Sequence, residues 1–364
     1  MVSLVLASAL LLLFPPACSV SWEYISLKDV GAKGAMFSLG GTRNHAQLFS
    51  ATPLKYSKSS MQMWTVSDGV TARTLQSLTE GRLKNGQLLP FTSTTRNFTI
   101  TRTNDGTDNA DYNMIYLRST DSTSDCDESG PVFLAEETSY PISYTATPPA
   151  NGNFKSCPVR ILSPPYSTTK APGITLTSYN LSAGNVDVNG ERQNLFSINN
   201  ESIANRNNTA FFSEIAYLVV SANSKFVFGV SSTPPPQNEV IQYPGKTFSG
   251  FFKTPTVPEP ISMSVEQKDK KPFQLKLNFD TGTIRSKNTI LEIYTDSKLY
   301  YNASGLSLTG STSLSSSPVS KLSMKYVPDP KETGYFFISY TMNSAIGCCL
   351  SLVLMFMTVV CNLY

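Results

Sequence analysis

Alternation of apolar and polar residues at period two is the feature that most restricts how this chain can fold. Asn97–Arg102 reads NFTITR, Lys225–Val230 reads KFVFGV, and Lys321–Val327 reads KLSMKYV. Side chains alternate across a strand, so each run buries one face and wets the other. Sustained helical periodicity occurs only in the two terminal apolar segments. Composition agrees. The 364 residues hold 21 Gly and 23 Pro, and only 15% are charged, which fits short strands joined by polar turns.

The strands recur in a repeated order. Met61–Val66, Asn97–Arg102 and Tyr112–Leu117 form one pass. Asn185–Val188, Ala216–Val220 and Lys225–Val230 form a second. Asn288–Tyr294, Lys321–Val327 and Gly334–Tyr340 form a third. Turn formers crowd between passes, as STDSTSDCDESG over 119–130 and SSTPPPQ over 231–237. The order predicts an all-β chain of tandem antiparallel β-sandwich modules over 20–122, 123–232 and 233–342, with the prolines as a stiff spacer.

Both ends point to the secretory pathway. MVSLVLASALLLLFPPACS has an apolar run followed by small residues, the pattern of a signal peptide over 1–19, cut after Ser19. No charged residue follows Glu332, and the apolar stretch over 345–363 has the length of a bilayer crossing. Residues 343–364 therefore read as a glycosylphosphatidylinositol (GPI) attachment signal, with Asn343 and Ser344 as small residues for lipid attachment. The near absence of a polar spacer keeps a single C-terminal span open as the alternative. Either places the chain on the outer face of the plasma membrane.

That compartment gives the cysteines and asparagines a meaning. Outside the terminal segments the chain keeps Cys126 and Cys157, which in an oxidising environment most simply form one disulfide. Asn97, Asn180, Asn200, Asn207 and Asn302 each begin an Asn-x-Ser/Thr sequon without Pro, so N-glycosylation is expected at all five. With two cysteines and one histidine, His45, no metal site is expected, and no cofactor. The formal charge of +3 is too small to suggest nucleic acid as a partner.

The middle and last modules resemble the CUB domain, an extracellular β-sandwich, in the divergent form of the nematode CUB-like secreted proteins. The residues are Cys126, Gly130, Ser139-Tyr140-Pro141, Cys157, Val159, Ile161 and Ile174–Tyr179, then Leu275, Leu277, Phe279, the ILEIY run, Gly334-Tyr335 and Tyr340. The resemblance implies a non-enzymatic binding module that takes an extracellular protein, glycan or microbial surface through its end loops, with a role in innate defence.

Asp280-Thr281-Gly282-Thr283 resembles the loop of an aspartic protease, but no second Asp-Thr/Ser-Gly occurs, and such a site needs two carboxylates sharing a proton. The alternative reading takes Asp-Thr-Gly as the turn after a strand. His45 has no Gly-x-Ser-x-Gly partner motif. The acidic loops over 105–111 and 121–128 and the basic cluster over 268–271 read as solvated turns. Trp64 lies in an alternating run whose buried face the sequence leaves open. A structural, glycosylated cell-coat or matrix component is the alternative function.

Overall fold

The computed structural model describes residues 22–27, 30, 34–39, 45–55, 61–103, 113–120, 130–137, 139–147, 156–163, 172–190, 194–199, 208–234, 238–243, 247–255, 259–267, 272–284, 286–302, 307–308, 312–315, 318–331 and 335–344. They fall into two compact units. One takes in the described residues up to Leu134 with 156–158, and the other takes in 135–147 and the described residues from Val159 onward.

The first unit contains β1 (Trp22–Ser26), β2 (Ala35–Ser38), β3 (His45–Ser50), β4 (Trp64–Ser67), β5 (Ala72–Thr74), helix α1 (Leu75–Glu80), β6 (Phe91–Ser93), β7 (Asn97–Arg102), β8 (Met114–Thr120) and β9 (Val132–Leu134). Two four-stranded antiparallel sheets form, β1-β8-β3-β6 and β2-β7-β4-β5. Their inner faces meet in one core that includes Leu48, Ile115 and Leu117 from the first sheet and Trp64, Val66, Phe98 and Ile100 from the second. The NFTITR alternation holds: Phe98 and Ile100 are buried, Asn97 and Thr99 exposed. Burying each such side chain contributes about 1.5–3 kcal/mol, which sets the register as well as the stability.

Two local readings change. The run over 61–66 is not all strand, since extended structure starts at Trp64. Helix α1 is an addition. Thr74 caps it by accepting from the Ser77 amide at 3.2 Å, and Leu75 and Leu78, three apart, are buried. At six residues it is too short to show periodicity.

The second unit holds two further pairs of sheets. The first pair uses β10 (Tyr140–Thr145), β11 (Ser156–Leu162), β12 (Gly173–Leu181), β13 (Val186–Asn189), β14 (Asn194–Ile198), β15 (Asn208–Phe212), β16 (Ile215–Ser221) and β17 (Lys225–Ser231). One sheet orders β10-β17-β12-β15, and the other contains the run β14-β13-β16-β11. Ile142, Leu176, Phe228, Val188 and Leu218 are buried.

The last pair uses β18 (Asn238–Tyr243), β19 (Thr247–Lys253), β20 (Ile261–Gln267), β21 (Phe273–Thr283), β22 (Ile290–Thr295), β23 (Lys298–Asn302), β24 (Ser307–Leu308), β25 (Thr312–Ser315), β26 (Lys321–Val327) and β27 (Tyr335–Ser344). The sheets order β18-β20-β26-β22-β23 and β19-β27-β21-β24, with β25 also on β21. Met263, Leu291 and Met324 from one sheet pack with Leu275, Leu277, Ile338 and Tyr340 from the other. One pairing departs from the antiparallel expectation: β18 runs parallel to β20, from Asn238 opposite Ser262 to Tyr243 opposite Gln267.

Within this second unit the two pairs of sheets share an aromatic contact. Phe251 of β19 stacks on Phe196 of β14 at 6.0 Å and on Phe337 of β27 at 5.7 Å, and meets Phe211 of β15 edge-on at 6.4 Å. Two positions away, Lys253 is buried and its Nζ donates to the Phe212 carbonyl at 2.8 Å. A buried ammonium needs such an acceptor.

Candidate functional site

The Asp-Thr-Gly segment sits inside β21, and that corrects its reading as a turn. β21 pairs with β27 as Phe279 opposite Ile338 and then Thr281 opposite Phe337, so Asp280 is the extra residue of a β-bulge. The alternation QLKLNF thus continues through the bulge into a paired strand. Among the described residues no three His, Cys, Asp or Glu side chains gather as a metal-ligand set.

Other sequence candidates are distributed rather than assembled. Asn97, Asn180 and Asn302 are exposed, as a glycan requires; Asn200 and Asn207 lie outside the described residues. Asn180 follows a register shift between Thr177 and Asn180 on β12, where Ser178 has φ 53°. Cys126 lies outside the described residues, and Cys157 is in β11. His45 opens β3, half-buried, with Nδ1 buried and without a hydrogen-bond partner among the described residues. The two acidic loops, the basic cluster and both terminal apolar segments lie outside the described residues. Among those that are described, no helix is long and apolar enough to cross a membrane.

Asn343 and Ser344 close β27. Asn343 stands opposite Thr247 on one side and Gln274 on the other, and Ser344 stands opposite Phe273. The residues marked for lipid attachment are therefore the last rung of a sheet.

Trp64 is fully buried, which settles the open face of its strand and removes it as a surface platform. Its ring faces the Arg102 guanidinium at 5.5 Å. Trp22 lies in β1.

One loop end of the last pair of sheets is tied by side-chain hydrogen bonds. Asp329, buried in the turn after β26, accepts from Ser286 Oγ at 2.5 Å and from Asn288 Nδ2 at 3.3 Å through Oδ2. Its Oδ1 accepts from the Lys331 amide at 2.9 Å, and its own amide donates to Thr289 Oγ1 at 3.1 Å. The Ser286 hydrogen bond, followed by the Lys331 amide, holds this carboxyl below the usual carboxylate range. Both oxygens are engaged by the protein, so the group fastens two loops together rather than offering a base. A similar lock ties another turn: Asp296 Oδ1 accepts from the amides of Ser320 and Lys321 at 2.8 and 2.9 Å. Asp296 and Ser297, at φ 47° and 66°, make the tight hairpin between β22 and β23. Sequence reading missed this hairpin because Asp-Ser is a weaker signal than Asn-Gly. The Asp329 lock was also missed, because its partners are about 40 residues away in the chain.

No family model matches the chain, and no curated protein matches it. Among solved structures it is similar to the CUB1-EGF-CUB2 domains of human MASP-1/3, at 10% identity and a TM-score of 0.24, over 56% of this chain and 99% of that one. The rat MASP-1 CUB1-EGF-CUB2 domains give 10% identity and a TM-score of 0.22, over 57% of this chain and 99% of that one. PNGF-II gives 10% identity and a TM-score of 0.19, over 70% of this chain and 74% of that one. Scores this low assign neither family nor function, so the fold class rests on the strand pairing itself.

Proposed function

We propose that this chain is a non-enzymatic extracellular recognition protein that binds a protein, glycan or microbial-surface ligand through loops at the ends of its sandwiches. The observation that supports it best is the Asp329 lock. Three hydrogen bonds join the two adjacent loops and a fourth closes the Asp329 turn, which preorganises this loop end on the β scaffold. Three modules with the boundaries read from the sequence, one Cys126–Cys157 disulfide and glycans on the five sequons belong to the same proposal. So does attachment at the outer membrane face, through a lipid at Asn343 or Ser344 or through a C-terminal span. Attachment there would follow the last rung of β27 directly and hold the last module close to the bilayer. Clustered on a membrane, weak loop contacts would gain from multivalency. A role in defence is the finer part of the proposal.

A structural coat is the second reading, favoured by two strands that have a partner on one side alone among the described residues. β18 and β23 are terminal strands of their sheet, and they expose Val240 at 56% and Leu299 at 55%. Unpaired edges with apolar residues are templates for association between copies.

The two are separated by incubating the exported, glycosylated chain with arrays of glycans and whole microbial cells under salt controls, beside sedimentation of the chain alone. Saturable, selective binding supports recognition. Absence of binding together with concentration-dependent association supports the coat.

A further inference from the structure

Val70, 82% exposed, and Met36, 72% exposed, reach furthest into solvent of the large apolar side chains among the described residues. Both stand beside the start of β7, in the sheet β2-β7-β4-β5. Phe98 and Ile100 of β7 fill the core, and Ala35 and Phe37 of β2 pack against it. Asn97, Thr99, Met36 and Ser38 therefore share the outer face. Asn97 is opposite Ser38, and Thr99 is opposite Met36. Met36 is thus the diagonal neighbour of Asn97, about 7–8 Å away.

Val70 comes in from the other side. Ser67 of β4 stands opposite Thr99, so the hairpin that follows it runs on past the Asn97 end of β7. Asp68 Oδ1 accepts from the Val70 amide at 3.0 Å and the Thr71 amide at 2.8 Å, which fixes the tip. Thr95 Oγ1 lies 3.3 Å from the Asp68 carbonyl oxygen and 3.4 Å from that of Asn97, tying the hairpin beside the sequon. The rest of this face carries hydroxyls, from Ser38, Thr65, Ser67, Thr99 and Thr101. A single exposed apolar residue needs no explanation, but these two flank a glycan acceptor.

We propose that the N-glycan on Asn97 is a fixed part of the first unit, its first N-acetylglucosamine lying against Met36 and Val70. A pyranose ring turns C–H groups to one face and keeps hydroxyls at its rim, and the acetamide adds a methyl. Such a ring takes a thioether out of water while its own hydroxyls stay wet. Methionine suits the contact because its unbranched chain adapts to an irregular partner. The sugar would then act as an outer layer on this sheet rather than as a freely solvated tag. The proposal rests on the glycosylation reading of the Asn97 sequon, and the test separates the two.

The test uses the full exported, glycosylated chain. Mass spectrometry reads glycan occupancy at Asn97 and sulfoxide formation at Met36 during exposure to hydrogen peroxide. N97Q removes the glycan, whereas T99S keeps the sequon and alters the residue opposite Met36. Met36 is expected to oxidise about threefold more slowly, or slower still, in the glycosylated wild-type and T99S chains than in N97Q. Nuclear Overhauser contacts are expected in the wild-type chain between the acetamide methyl of the first sugar and the methyl groups of Met36 and Val70. An unoccupied Asn97 overturns the proposal together with the glycosylation reading of that site. An occupied Asn97 with equal oxidation in wild type and N97Q overturns the packing alone. So does a sugar that contacts neither side chain in the wild-type chain, a result that holds even if N97Q does not fold.

Discussion

Replacing Phe251 by alanine probes the contact that joins two pairs of sheets in the second unit. The ring lies within 6.4 Å of Phe196, Phe211 and Phe337, two of them on the preceding pair of sheets and one on its own. Truncating a fully buried Phe costs about 3–5 kcal/mol. Phe251 is half-buried, so about 2 kcal/mol is expected. In a unit of about 200 residues, each kcal/mol moves the midpoint by about 2–4 °C, giving a fall of about 4–8 °C. Differential scanning calorimetry of the full chain reads this directly. The wild-type second unit is expected to melt as one transition, and F251A to lower and broaden it as the two pairs of sheets uncouple. The Lys253 to Phe212 hydrogen bond remains, so coupling weakens without vanishing. A midpoint within about 1 °C of wild type, with an unchanged width, would refute the reasoning.

Three further outcomes follow from local geometry. A Cβ at Gly250 would overlap Cζ and Oη of Tyr340, its cross-strand partner, so G250A is expected to lose about 1–3 kcal/mol in urea unfolding, and unchanged stability would show that the sheet gives way. The folded Asp329 pKa is depressed, so its stabilising effect is present above the ordinary value of 3.8 and lost as pH falls below it; the acid limb of the wild-type stability curve should be steeper than that of D329N, and parallel limbs would contradict the lock. Tyr326 is pushed up to about 12 by burial, so its contribution persists below pH 10, the unfolded value, and is lost as pH rises toward 12; Y326F should flatten this alkaline decline, measured by fluorescence-monitored unfolding.

How much was legible beforehand differs from element to element. NFTITR, KFVFGV and KLSMKYV announced their strands because one buried face imposes period two. β21 was only half legible. Its apolar alternation marked the strand to Phe279, but Asp-Thr-Gly looks locally like a turn, and only pairing with β27 carries the chain through a bulge to Thr283. Helix α1 was invisible because its stability comes from a cap and two buried leucines rather than from a long amphipathic run. The parallel pairing of β18 with β20 leaves no mark in composition, since it is a matter of connection. Site residues followed the same division. Sequons are read from three adjacent residues. The Asp329 lock depends on partners far along the chain.

The most direct measurement is binding of the full exported chain to glycan arrays and whole microbial cells, with a D280N variant assayed for peptide hydrolysis alongside. The account predicts selective, saturable binding that D280N leaves intact, and no hydrolysis by either form. Uniform absence of binding with concentration-dependent self-association would contradict it in favour of a coat, and hydrolysis abolished by D280N would contradict it in favour of an enzyme.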